Sequence, residues 1–122
     1  MQVRSGGWPP AGDVFDSACP SRSVLDHVTS KWAVLVLAAL HRGPKRFSAL
    51  GRAIGGVSEK MLSQTLRTLE TDGFVDRSVA PTRPPQVTYS LTALGVELTD
   101  HLAGLLGWIE TRIGDIQAAR SS

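Results

Sequence analysis

With 122 residues, 42% apolar and 20% charged, the chain has room for one domain with an ordinary core, and no apolar run nears the roughly 20 residues of a membrane span. Its single cysteine, Cys19, excludes an internal disulfide framework and suits a reducing, cytoplasmic setting. The net charge of +2 is unevenly spread: Lys31 to Arg83 holds nine Lys or Arg against four acids and the remainder four against seven, which puts the positive field mid-chain.

Met1 to Gly12 is rich in Gly and Pro and lacks the apolar core of a secretory signal, so residues 1–16 read as a flexible arm ahead of a domain over 17–122. Cys19 stands before Pro20, a residue favoured in a helix's first turn, which predicts the sulfur at a helix N-terminus with Arg22 and Lys31 nearby. A short helix is expected over Ser21 to Val28. Lys31 to Leu40 follows as a dense apolar helix with Trp32, Leu35, Val36, Ala39 and Leu40 inward.

Next, Phe47, Leu50 and Ile54 form a single buried stripe on a helix that Ser48 is placed to cap and Gly55-Gly56 to stop. After a turn of a few residues, Ser58 is placed to cap a second helix that runs to Asp72 and ends at Gly73. At about 100° per residue, Met61, Leu62, Thr65, Leu66 and Leu69 share one arc, while Lys60, Ser63, Gln64, Arg67 and Thr71 share the other. The segments Phe74 to Val79 and Gln86 to Leu91 then alternate apolar and polar side chains, as half-buried strands do. Three prolines in the connection Ala80-Pro81-Thr82-Arg83-Pro84-Pro85 stiffen it and present Arg83 at its tip.

Thr92 is placed to cap a long final helix on which Leu94, Leu98, Leu102, Leu105, Ile109, Ile113 and Ile116 step by three or four residues. So small a domain covers only part of that stripe. Leu98, Leu102, Leu105, Leu106, Trp108, Ile109 and Ile113 are therefore expected at a dimer interface, with an intrachain cap as the alternative. The fold class that results is mainly α with a small β-hairpin: a winged helix-turn-helix flanked by N- and C-terminal dimerisation helices.

Several linked motifs carry a family resemblance from about Cys19 to the C-terminus. They are Cys19-Pro20, Lys31-Trp32, Gly43 to Leu50, Val57-Ser58 with Met61-Leu62, Leu66 to Arg77, and Tyr89 to Gly95. On these the chain resembles the HxlR-type regulators. The resemblance implies a bacterial, dimeric, DNA-binding transcription factor, switched in several members by oxidation or electrophilic attack at the cysteine that matches Cys19.

In such a dimer, two recognition helices meet successive major grooves about one helical turn apart, so the operator is expected to be a near-palindrome of double-stranded DNA. Ser63, Gln64 and Arg67 are assigned to bases, with Gln64 suited to adenine and Arg67 to guanine. Lys45, Arg46, Ser48, Ser58, Lys60 and Arg83, at helix starts or on loops, are assigned to phosphates. Repression is expected. Cys19 is the candidate redox sensor, its alternative being a small buried apolar residue.

Other classes leave weaker marks. Cys19 with His27 and Asp26 could be read as thiol, base and orienting acid, but no Gly-rich loop or oxyanion motif accompanies them, and no enzyme is expected. The scattered histidines lack the close ligand pairs of a zinc site, and no cofactor or metal is expected. A small-molecule effector pocket lined by Trp32, Trp108 or Phe15 remains open, as does a winged-helix module that binds protein and not DNA.

Overall fold

The computed structural model describes residues 13–121, so the expected arm lies outside them apart from its last four residues. There, Asp13 to Cys19 form consecutive turns, Asp16 N donating to Asp13 O and Cys19 N to Asp16 O. The elements that follow are α1 (Pro20–Val28), α2 (Lys31–His41), β1 (Lys45–Arg46), α3 (Phe47–Ala53), α4 (Glu59–Thr71), β2 (Val75–Ala80), β3 (Gln86–Leu91) and α5 (Ala93–Arg120). The strands form one antiparallel sheet in the order β1-β3-β2.

The local signals explain most of these boundaries. Pro20 occupies the first turn of α1 with Cys19 as its N-cap. Ser30 and Ser58 cap α2 and α4, accepting from Ala33 N and Met61 N at 3.3 and 3.0 Å. Gly73, at φ +85°, ends α4 in the left-handed region. Ser48 does not cap α3: the N-cap is Arg46, without a side-chain bond, and Ser48 lies exposed in the helix's first turn.

Lys45-Arg46 was not expected as a strand. Two residues are too few for a period-two pattern, and it is their pairing with Tyr89 and Thr88 that makes them one.

The core gathers Val36, Leu37 and Leu40 of α2 against Leu50 of α3, Leu62, Leu66 and Leu69 of α4, Val75 of β2 and Leu102 of α5. Leu37 and Ala33, not expected inward, are buried, whereas Trp32, Leu35 and Ala39 are only partly so. Met61, on the expected buried arc of α4, is 38% exposed, and Leu94 on α5 is 52% exposed. Leu102 is buried in the chain's own core and Leu98, partly buried, packs against that core, which leaves little of Leu102 for a dimer contact. The first turns of α5 are thus taken up within the chain.

A knot of hydrogen bonds joins the end of α4 to the start of α5. Thr92 N donates to Phe74 O at 3.1 Å, Thr92 Oγ1 donates to Gly73 O at 2.6 Å, and the same oxygen accepts from Gly95 N at 3.0 Å. Phe74, expected in the first strand, sits instead in this junction, its own N–H donating to Leu69 O. Among the described residues no single helix is long and apolar enough to cross a membrane.

Candidate nucleic-acid interface

Helix α4 has one face in the core and the other in solvent. Leu62, Thr65, Leu66 and Leu69 are buried, while Lys60, Gln64, Arg67 and Thr71 are exposed and Ser63 is half-buried. Arg67 Nη2 donates to Ser63 Oγ at 3.5 Å, a loose bond that lays the guanidinium back along the helix's outer face. Thr65 Oγ1 satisfies itself on Met61 O at 2.7 Å, which lets a hydroxyl sit inside.

The residues assigned to phosphates fall in three places. Arg46 and Ser48 are exposed at the start of α3. Ser58 and Lys60 lie at the start of α4, where the Ser58 oxygen is already engaged as the cap. Arg83 is exposed at the hairpin tip, where Thr82 bonds Ala80 O through its N–H and Pro84 O through its hydroxyl. Lys45 departs from the expectation of a loop, being half-buried on β1 opposite Tyr89.

One cationic residue escaped the sequence reading. Arg77 on β2 is exposed, pairs in register with Tyr89 on β3, and with Tyr89 forms one wall of an open cleft whose other wall is Ser63, Arg67 and Glu70 of α4. The alternation of the strand held the signal, because Arg77 is two residues from buried Val75 and so points to the helix side of the sheet.

Cys19 is half-buried at the N-cap of α1, as its place before Pro20 predicted. The cations expected beside it are engaged elsewhere: Arg22 bonds Phe15 O, and the Lys31 ammonium lies 4.2 Å from the centre of the Trp32 ring. His27 turns to Asp72 at the C-cap of α4, at 2.6 Å, and makes no bond with Cys19 or Asp26, so the thiol, base and acid set does not assemble. Trp108 and Phe15 are 58% and 64% exposed. On α5, Leu105, Trp108, Ile109 and Ile113 are exposed and Leu106 is half-buried.

Known proteins share this fold. The family model of the HxlR-like helix-turn-helix matches residues 27–117. YtfH of Escherichia coli K12, an HTH-type transcriptional regulator, is 53% identical over 109 residues, which cover 89% of this chain and 86% of that one. The solved structure of the transcriptional regulator ytfH from Salmonella typhimurium matches with a TM-score of 0.86 at 52% identity, over 91% of this chain and 99% of that one. HypR, a redox regulator solved in its reduced form, matches with a TM-score of 0.75 at 32% identity, over 81% of this chain and 98% of that one. The chain belongs to the HxlR-like helix-turn-helix family, with a winged-helix fold, and is a transcriptional regulator of the helix-turn-helix type.

Proposed function

We propose that the chain is a homodimeric, sequence-specific DNA-binding repressor. The observation that carries this is the outer face of α4, where Lys60, Gln64 and Arg67 are exposed on a helix whose opposite side is locked into the core. Such a face enters a major groove as a rigid unit, with Ser63, Gln64 and Arg67 reading bases. Ser58 and Lys60 at the start of the helix, and Arg46, Ser48 and Arg83 on neighbouring elements, hold phosphates, and Lys45 joins them from the sheet edge. The exposed apolar side chains Leu105, Trp108, Ile109 and Ile113 bury against the same helix of a second copy, with Leu106 beside them.

Cys19 supplies the switch. At the N-cap of α1 its sulfur is free and partly exposed, within reach of an oxidant, and the similarity to a redox regulator supports the reading. With one cysteine per chain, oxidation joins the two Cys19 thiols of a dimer, or one of them and a small thiol, and the oxidant takes up two electrons and two protons.

The test is binding of the purified protein to its own upstream intergenic DNA, titrated in salt, with and without diamide. Selective binding that weakens with salt, is lost on oxidation and returns with a thiol is the expected result. Binding indifferent to diamide removes the switch and turns the search to a small-molecule effector. No selective binding at all overturns the DNA reading in favour of a protein-interaction module.

A further inference from the structure

The cleft between α4 and the hairpin is built from both halves of the DNA-reading unit. Ser63, Arg67 and Glu70 line it from α4, and Arg77 and Tyr89 from the sheet. The register places Arg77 directly across from Tyr89, so their side chains emerge on the same face. Along β2 that face passes from Val75, 1% exposed, through Arg77 to Val79, 49% exposed. Arg77 therefore stands where the sheet leaves the core and the wing begins. Among the described residues, neither Arg67 nor Arg77 has a carboxylate within ion-pair distance, although Glu70 shares the cleft.

Two guanidinium groups, a phenol and a serine hydroxyl are donors converging from two walls, and the single carboxylate does not neutralise them. When a recognition helix lies in a major groove, the sugar-phosphate strand bordering that groove runs between helix and wing. We propose that Arg77, assisted by the Tyr89 hydroxyl, holds one backbone phosphate of the operator in this cleft. The guanidinium fork suits a phosphate's paired oxygens. This contact sets how deeply α4 sits in the groove, because the opposite wall of the same cleft carries Arg67. The inference rests on the DNA-binding function proposed above.

Duplex binding is measured against salt for the unmodified protein, Arg77→Ala, Arg77→Gln and Glu70→Gln, with thermal melting of each and with operators carrying single neutral methylphosphonates. Both Arg77 variants are expected to lose about tenfold in affinity on every duplex. Their log-log salt slope falls by about 0.9, the release from one phosphate. One methylphosphonate position weakens the unmodified protein but not Arg77→Ala, and Glu70→Gln binds more tightly. The glutamine variant repeats the test should Arg77→Ala not fold. Arg77 variants that bind with an unchanged salt slope, whether or not they melt lower, overturn this inference alone. Failure of the unmodified protein to bind any duplex overturns it together with the DNA reading.

Discussion

His27 Nδ1 lies 2.6 Å from Asp72 Oδ2, so the last turn of α1 is fastened to the C-cap of α4. An acid at a helix C-terminus opposes the helix dipole, and the Asp72 side chain is only 16% exposed, so the imidazole is what makes its position tolerable. The bond also ties the helix capped by Cys19 to the helix proposed to read DNA. His27→Ala is expected to lower stability by about 1 kcal/mol. That is about 4 °C in Tm for a chain of this size. Thermal melting of His27→Ala, Asp72→Asn and the double variant checks it, and strictly additive losses would show that the two side chains are not coupled.

The knot at Thr92 allows no side chain at residue 95. A Cβ there runs into the carbonyl oxygen of Phe74. Gly95→Ala should cost about 3 kcal/mol, because the obstacle is backbone in a buried turn. Gly104→Ala, where a Cβ meets nothing within 4 Å, is the control and should be neutral or stabilising. Equal melting temperatures for the two variants would refute the account.

Arg67 and Arg83 should fail in different ways. Arg67→Ala is expected to relax preference at one base position by about 1–3 kcal/mol. Arg83→Ala should weaken all sequences alike and flatten the salt dependence. Competition binding on a set of single-base operator variants separates the two, and identical profiles would remove Arg67 from base reading.

The exposed stripe of α5 predicts assembly. The double variant Trp108→Lys, Ile109→Lys should sediment at the mass of a single chain at micromolar concentration, while the unmodified protein sediments at twice that mass. Because Leu98 and Leu102 anchor the start of α5 in the chain's own core, the variant should stay folded. An unmodified protein that is itself a single chain would end the dimer reading.

Cys19→Ser should retain DNA binding and lose its release by diamide. The same variant should yield no linked dimer on non-reducing electrophoresis after oxidation. Release that persists in Cys19→Ser excludes this thiol as the switch.

The sequence made the winged helix legible because punctuation and period agreed: Ser58 and Gly73 bracket α4, and the three prolines bracket the wing. Where the reading failed, a longer-range contact decided. Lys45-Arg46 became a strand through β3, and Ser48 lost the cap to the turn set by β1. At the site, α4's outward residues followed from the helical wheel alone. Arg77 and the His27–Asp72 bond did not, since each depends on which elements meet across the fold.

The knot around Thr92 gives α5 a mechanical meaning. Its 28 residues reach about 42 Å. One end is bonded to the tail of α4, and the exposed apolar residues lie toward the other. In the proposed dimer such a rod is a lever with a short arm at the DNA and a long arm at the partner. A slip of about 3 Å at Ile109, about 24 Å along the rod, turns it by about 7°. If two copies meet there as proposed, small adjustments between them leave the spacing of the two α4 helices nearly intact, whereas a covalent link that rotates the rods as a whole changes it in full.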